Sequence, residues 1–476
     1  MKKIFKVLIY IATVVLGCAF LVSIYMLFLN SDFYGKQGYQ DEGLILDETE
    51  GTLSLTVTLL DEEQNAIHEA VCYLISDHVI VDLQITDSTG HITFEDIFPG
   101  EYLVQVALSE EELLKYKVTS EKKVTLEENE EIFIEVELLP KRLVLRMVGD
   151  NLIHSQINHK AYSPDTDTYQ YEFLYAGIQE ELETADIAII NQETIFVADH
   201  NNISTYPRFG TPTDMGESLR NVGFDVICCA SNHTADKGEL GVTDSLAFWE
   251  KYPDITICGI YSSQEDKDTI RVVEKNGIKV AILNYTYGLN GLSFPSDKQY
   301  LTNMLDSKER IKEEILHAKE IADVVVVSPH MGTEYAFKPN DYQKDWIALF
   351  VEAGADVVIG THPHVLEPCV LIEDTVVFYS LGNFVSNQKE IPTILGGMAE
   401  IIFEKNGDEV TVSSYQCIPL VTHYTDTKHM VYKLSDYTEE LAREHTMNQY
   451  DSRFSKEYVE ELYDKIMHGM DEEVSK

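Results

Sequence analysis

The period of the hydrophobic pattern changes along the chain. In the first part apolar and polar residues alternate with period two, as in residues 53–59 (LSLTVTL) and 132–138 (IFIEVEL). Several short strands of this kind, separated by turn signals, predict a small all-β sandwich over residues 51–140. Further on, continuous apolar runs alternate with helical patterns. This alternation predicts a layered α/β domain over residues 141–425.

The elements of the α/β domain follow from individual runs. Short apolar runs predict strands at residues 143–148, 187–190, 226–230, 280–284, 324–328, 357–359 and 376–379. Amphipathic runs predict helices near residues 173–184 and 215–222. Residues 426–476 are acidic and helix-prone, so we expect a helical C-terminal tail there.

The amino-terminal segment has the pattern of a membrane span. Three lysines precede an uncharged stretch over residues 7–29, about the 20 residues that a helix needs to cross a bilayer. A cleaved signal peptide would have a shorter apolar region, and the sequence VLGC, typical of a lipoprotein cleavage site, is followed by further apolar residues. We expect an uncleaved single-pass anchor over residues 1–30 and a linker over residues 31–50. The lysines predict that the amino terminus stays inside and the bulk of the chain lies outside the cell membrane.

Charge excludes one class of partner. The chain has 81 acidic and 36 basic residues, a formal charge of −45, whereas nucleic acids and anionic membrane surfaces bind cationic faces. A small anionic substrate remains compatible with this charge, because a bound metal inverts the local sign. The seven cysteines have neither paired nor metal-ligand spacing, so we expect core residues rather than a disulfide framework.

Candidate chemistry collects just after the predicted strands, where α/β folds place their sites. The His362-Pro363-His364 triplet is the most specific signal. Proline restricts the preceding residue to extended backbone, and residues two apart on extended backbone point the same way. The six motifs, which together predict a metal site, are Gly149-Asp150, Asn191-Gln192-Glu193-Thr194, residues 231–238 (SNHTADKG), residues 330–335 (HMGTEY), residues 360–364 (GTHPH) and residues 379–384 (YSLGNF).

In this order the motifs resemble the CapA (poly-γ-glutamate capsule synthesis) family of bacterial proteins, over residues 142–425. That family is related to calcineurin-like metallophosphoesterases, which hold two metals over a β-sandwich flanked by helices. The resemblance therefore implies a metallophosphatase-type layered fold. It also implies the ligand set Asp150, Glu193, Asn232, His330, His362 and His364, with manganese, iron or zinc as one or two divalent ions.

The resemblance also implies roles around the metals. His233 matches the group that stabilises or protonates a leaving oxygen, and Asp236 would hold its other ring nitrogen. Glu334 and Asn383 would lie behind the ligands. The first motif departs from the Asp-x-His of phosphoesterases, since the nearest histidine after Asp150 is four residues on. The bridging carboxylate is a glutamate rather than an aspartate.

A second resemblance concerns the β module. Residues 89–94 (TGHITF) and 99–102 (PGEY) are similar to collagen-adhesin B-type (Cna-B-like, prealbumin-like) modules of Gram-positive surface proteins. This resemblance implies a spacer or adhesion role.

Three functions are compatible with these observations. The first is a cell-surface component of capsule or poly-γ-glutamate synthesis or export, whose partners are the anionic polymer or polymer-synthesis membrane proteins. The second is a metal-dependent hydrolase of phosphoesters or amides. The third is a non-catalytic surface-binding protein with a structural metal.

Overall fold

The computed structural model describes residues 53–61, 64–109, 115–116, 121–137 and 139–468. The predicted anchor and linker lie outside these residues. The chain divides into two compact units, Met1–Leu139 and Pro140–Lys476. Within the described residues, no helix is both long enough and apolar enough to cross a membrane.

The first unit is built from strands alone over its described residues. The strands are β1 Leu53–Asp61, β2 Val71–Ser76, β3 Val79–Ile85, β4 His91–Ile97, β5 Gly100–Ala107, β6 Glu121–Leu126 and β7 Glu130–Val136. They form two sheets with the orders β4-β1-β7 and β3-β2-β5-β6. Alternate residues such as Leu55, Val57 and Leu59 are fully buried in one shared core, as the period-two pattern requires. The likeness to adhesin modules stays a prediction.

The second unit contains two larger sheets. Its strands are β8 Lys141–Asn151, β9 Tyr162–Ser163, β10 Thr168–Tyr169, β11 Ile187–Asn191, β12 Phe196–Val197, β13 Thr211–Pro212, β14 Val226–Cys228, β15 Thr256–Cys258, β16 Arg271–Lys275, β17 Ile278–Thr286, β18 Val324–His330, β19 Val357–Ile359, β20 Leu366–Ile372, β21 Thr375–Leu381, β22 Asn383–Val385, β23 Leu395–Asn406, β24 Glu409–Tyr424 and β25 His429–Lys433. One sheet has the order β15-β14-β11-β8-β23-β24-β25, with β22 also paired to β8. The other has the order β16-β17-β18-β19-β21-β20.

The second unit also contains helices. They are α1 Ser155–Ala161, α2 Gln179–Glu183, α3 Asp214–Asn221, α4 Gly238–Trp249, α5 Gln264–Asp268, α6 Lys308–Ile321, α7 Asp341–Ala353, α8 Glu439–Glu444 and α9 Lys456–His468. One apolar core lies between the two sheets. A second core joins the larger sheet to α1, α3 and α4, and a third joins the smaller sheet to α6 and α7. Strands buried on both faces explain the continuous apolar runs of the sequence.

Two predicted elements differ from the structure. The helix expected near residues 173–184 is two short 3₁₀ turns followed by α2. Its Gly177 lies so close to β25 that a Cβ would come within 2.3 Å of the Val431 carbonyl oxygen. From residue 426 onward the described chain contains the helices α8 and α9, but it also contains β25, which pairs with β24. Val459 and Ile466 of α9 also belong to the core between the sheets.

Candidate metal centre

The carboxyl ends of parallel strands from both sheets bring the six predicted ligands together. Asp150 lies at the end of β8, Glu193 just beyond β11, and Asn232 beyond β14 in the larger sheet. His330 ends β18, and the His-Pro-His triplet follows β19 in the smaller sheet. All six side chains are buried. Polar groups are tolerated there because strand ends leave space between the packed sheets.

Two carboxylates and one imidazole form the centre of this group. Asp150, Glu193 and His364 offer atoms that all lie within 4.8 Å of one another. His364 Nδ1 is 3.3 Å from Asp150 Oδ2 and 3.9 Å from Glu193 Oε2. Glu193 is 1% exposed, and neither of its oxygens has a hydrogen-bond partner among the described residues. A buried carboxylate without hydrogen bonds is costly unless a cation satisfies it.

The remaining two imidazoles of the predicted ligand set, those of His330 and His362, lie next to each other beside this centre. His330 Nε2 lies 3.8 Å from Glu193 Oε1 and 3.0 Å from Asn232 Oδ1. The His362 ring lies 4.9 Å from that of His330, and His362 Nδ1 has no hydrogen-bond partner in the part of the chain that the structure describes. His330 and Asn232 are thus in mutual contact beside Glu193, with His362 next to His330.

Burial and neighbouring charges shift the pKa values of Glu193 and of the three predicted histidine ligands. Burial and the Asp150 charge raise the pKa of Glu193 to about 8. Burial and the neighbouring imidazoles lower the pKa of His362 to about 3 and hold that of His330 well below its usual range. Burial also opposes protonation of His364, but the nearby carboxylates outweigh it and raise its pKa to about 9. His362 and His330 are therefore neutral near pH 7 and can act as metal ligands without losing a proton.

The backbone of the triplet differs from the prediction. His362 has φ +100° and His364 has φ +61°, so the expectation of extended backbone at His362 is wrong. Both values are uncommon for residues other than glycine, and such conformations persist where the surroundings impose them. Here the His362 backbone N–H donates to Asp150 Oδ2 at 3.2 Å. The two rings still reach the centre, 6.0 Å apart, through left-handed backbone.

Neutral side chains orient the ligands. Asn383 Oδ1 lies 3.0 Å from His364 Nδ1, while its amide nitrogen donates to Gln388 Oε1 at 2.8 Å. Asn191 Nδ2 donates to Asp150 Oδ1 at 2.8 Å, and Thr361 Oγ1 lies 2.9 Å from His330 Nδ1. The sequence interpretation assigned no role to Asn191 or Thr361, although both lie inside the motifs that it singled out.

His233 lies beside the centre with its own carboxylate partner. Its Nδ1 is 2.7 Å from Asp236 Oδ2, and its Nε2 is 3.9 Å from Glu193 Oε1. The ring meets Phe209 edge-on at 4.8 Å. Burial opposes its protonation, but the Asp236 hydrogen bond and the Glu193 charge outweigh burial, so its pKa is raised. Glu334 is exposed and reaches the centre only through its charge, which raises the pKa of Glu193.

The donor set fits a divalent transition metal. Two carboxylates, one amide oxygen and three imidazoles suit manganese, iron or zinc better than the all-oxygen sites of calcium. Such an ion would explain why neither Glu193 oxygen has a hydrogen-bond partner among the described residues.

Comparison with known proteins gives a family and several relatives, among them two proteins named CapA. The model of the family "Bacterial capsule synthesis protein PGA_cap" matches residues 144–388. The PGA biosynthesis protein CapA of Bacillus subtilis (strain 168) is 37% identical over 190 residues, covering 40% of this chain and 50% of that protein. The capsule biosynthesis protein CapA of Bacillus anthracis is 26% identical over 278 residues, covering 57% of this chain and 66% of that protein. The chain thus spans half to about two thirds of the length of these curated relatives.

Among solved structures, one calcineurin-like phosphoesterase is distantly similar to this chain. The calcineurin-like phosphoesterase YfkN from Bacillus subtilis has a TM-score of 0.36 and 15% identity, covering 67% of this chain and 99% of that chain. This similarity is too low to assign a role to any residue of the site.

Proposed function

Because the chain belongs to the family of bacterial capsule synthesis proteins, as its motifs predicted, we propose that it acts at the cell surface in the synthesis or export of poly-γ-glutamate, an anionic capsule polymer. The two CapA relatives, a PGA biosynthesis protein and a capsule biosynthesis protein, support this function. Every predicted metal ligand falls within the matched residues 144–388, so the family segment and the candidate centre coincide. Deleting the gene should abolish polymer on the cell surface. Complementation with a chain lacking the metal ligands should not restore it.

The centre in this proposal holds one or two divalent transition metal ions. The single observation that carries it is the buried Glu193 carboxylate, which accepts no hydrogen bond from any residue that the structure describes and is faced by His330 and His364. When bound, such a metal supplies Lewis-acid polarisation of a substrate oxygen. Full-length protein purified in detergent should contain about one to two equivalents of manganese, iron or zinc by elemental analysis. Metal-free protein that takes up none of these ions would contradict the centre.

A metal-dependent hydrolase of phosphoesters or amides is the second candidate. The His233–Asp236 pair favours it, because an imidazole with a raised pKa next to the centre can give a proton to a leaving oxygen. His233→Asn should keep the metal content and the melting temperature while lowering hydrolysis of a model phosphodiester by roughly 10²- to 10⁴-fold. His200→Asn is the matched control, since His200 also lies beside an aspartate, Asp214.

The same assay addresses the non-catalytic alternative. Wild-type protein that binds metal but hydrolyses neither phosphoesters nor amides would favour a surface-binding protein with a structural metal. Full hydrolysis by a folded His233→Asn variant would remove His233 from the mechanism and leave the metal centre in place.

The anchor is part of this proposal. It is supported by the lysines before residues 7–29 and by the absence of charge within that stretch. Protease added to intact cells should release nearly the whole region after residue 50. Protection of that region until the cells are lysed would contradict an extracytoplasmic location.

A further inference from the structure

The loop between β18 and α7 carries an exposed tyrosine over the candidate centre. The Tyr335 side chain is 44% exposed, and its ring lies 6.0 Å from that of His364. Its backbone has φ +65°, which is uncommon for a bulky residue and persists only where neighbouring contacts impose it. The position of this phenol is therefore set by the fold rather than by local preference.

The contacts that hold the loop come from the ligand triplet. The Tyr335 backbone N–H donates to the Pro363 carbonyl oxygen at 2.8 Å. Gly332, at φ +138°, packs so closely on Pro363 that a Cβ would come within 2.8 Å of its Cγ. On the other side, Asn340 Nδ2 donates to Thr333 Oγ1 at 2.8 Å. The tyrosine is thus fastened directly to the segment that supplies His362 and His364.

The hydroxyl group is also oriented. Gln388 Nε2 donates to Tyr335 Oη at 3.2 Å, and Gln388 Oε1 accepts from Asn383, which contacts His364. Because the phenol oxygen accepts this hydrogen bond, its own hydrogen remains to be donated elsewhere. Tyr287 lies on the opposite side, with its ring 4.6 Å from that of His362, but within the described chain no hydrogen bond fixes its hydroxyl.

We propose that the Tyr335 hydroxyl donates a hydrogen bond to an anionic oxygen, phosphoryl or carboxylate, of the molecule bound at this centre. The inference rests on the proposed metal centre and adds a substrate contact to it. A neutral donor suits this position, because the metal attracts an anion whereas the adjacent Glu334 carboxylate repels it. The phenol thereby fixes the orientation of the anion without adding charge.

Calorimetric titration with inorganic phosphate and with glutarate, on full-length metal-loaded protein, tests this contact. Tyr335→Phe keeps the ring and the backbone, so metal content and melting temperature should equal those of the wild type. Binding of at least one anion should weaken about 10- to 100-fold, the usual effect of losing a hydrogen bond to a charged group. Weakening of phosphate alone identifies a phosphoryl group, and weakening of glutarate alone identifies a carboxylate.

Two further variants sharpen the test. Glu334→Gln should strengthen binding of the same anion, since it removes the repulsion. Tyr342→Phe is the matched control: Tyr342 is 42% exposed but packs on Trp346 of α7, so binding should not change. Wild-type affinity for both anions in Tyr335→Phe would overturn the contact, as would failure of metal-loaded wild-type protein to bind either anion. Failure of the metal centre itself would be seen separately, as wild-type protein that holds no metal.

Discussion

Two groups of buried histidines lie in the second unit, and they differ in what surrounds them. The strand-end group consists of His330, His362 and His364, and the C-terminal group consists of His423, His429 and His445. Every member is at most 4% exposed. In the strand-end group the imidazoles of His330 and His364 face Asp150 and Glu193, whereas among the described residues no carboxylate forms an ion pair with the C-terminal group.

The C-terminal group contacts neutral groups instead, and both ring nitrogens of His429 lack a hydrogen-bond partner among the described residues. His423 Nδ1 lies 3.0 Å from Tyr437 Oη, and His445 Nε2 lies 3.0 Å from the Thr422 carbonyl oxygen. The Tyr424 ring packs 4.5 Å from that of His445 and 5.4 Å from that of His429. Burial lowers the pKa of His423 to about 4 and that of His445 to about 3. The comparison shows that burial alone makes histidines neutral, and that adjacent carboxylates turn such a group into a candidate metal centre.

Removing two ligands of the strand-end group should have the largest effect. His362→Ala combined with His364→Ala deletes two of six donors, and we expect metal to be absent from the purified variant. His423→Phe, from the C-terminal group, should keep the full metal content. Elemental analysis of folded protein, checked by circular dichroism, measures both. Equal metal loss in the two variants would remove the distinction between the groups.

The carboxylate should matter even when every histidine remains. Glu193→Gln should lose the metal and yet raise the stability of metal-free protein. The folded pKa of Glu193, about 8, lies above its ordinary value, so metal-free wild type loses stability as pH rises from about 4.5 through 8. The amide of Glu193→Gln does not titrate, so the metal-free variant should be more stable than metal-free wild type by roughly a few kcal/mol at pH 8 to 9.

Glu367 provides the control for that variant. It is buried, burial raises its pKa to about 8, and one of its oxygens has no hydrogen-bond partner among the described residues, but it lies outside the metal cluster. Glu367→Gln should therefore gain stability at high pH and keep its metal. Thermal melts between pH 5 and 9 and elemental analysis separate the two glutamates, and loss of metal in Glu367→Gln would contradict the assignment.

Orientation of a ligand should have a smaller effect than its removal. Asn383→Ala leaves all six donors but frees His364, and we expect metal affinity to fall about 10- to 100-fold. In the other group, Tyr437→Phe frees His423 in the same way and should leave metal affinity unchanged. Competition with a chelator measures both affinities. An unchanged metal affinity in Asn383→Ala would show that the contact with Asn383 is not needed to orient the His364 ring.

The smallest effect is expected in acid. The folded pKa of His423 is about 4, below the ordinary value. Its contribution to stability is therefore present above pH 6.5 and lost as pH falls toward 4, by about 1.4 kcal/mol per pH unit. His423→Phe combined with Tyr437→Phe should reduce the dependence of unfolding free energy on pH in that interval by the contribution of this one histidine, while the other buried histidines keep theirs. Denaturant titrations at pH 4.5 and 6.5 measure this slope, and an unchanged slope would contradict the assignment to His423.

The two groups also differ in how far the sequence predicts them. The strand-end group follows from apolar runs that end in polar motifs, because such runs are buried strands whose ends must meet at one edge. The C-terminal group was not predicted, because β25 is only five residues long and its histidines pair with residues distant in sequence. Left-handed backbone at His362 was also not foreseeable, since it follows from the hydrogen bond to Asp150 rather than from local preference.

That hydrogen bond joins residues 212 positions apart, which has a consequence for how the chain folds. The contact joins the ends of strands from both large sheets, and contacts this distant in sequence slow folding, because a long loop must close before they form. A metal that needs donors from both sheets would bind the finished fold and not its intermediates. By mass action it would then stabilise the native state alone. The metal would thus strengthen the contact between the two sheets only in the fully folded domain.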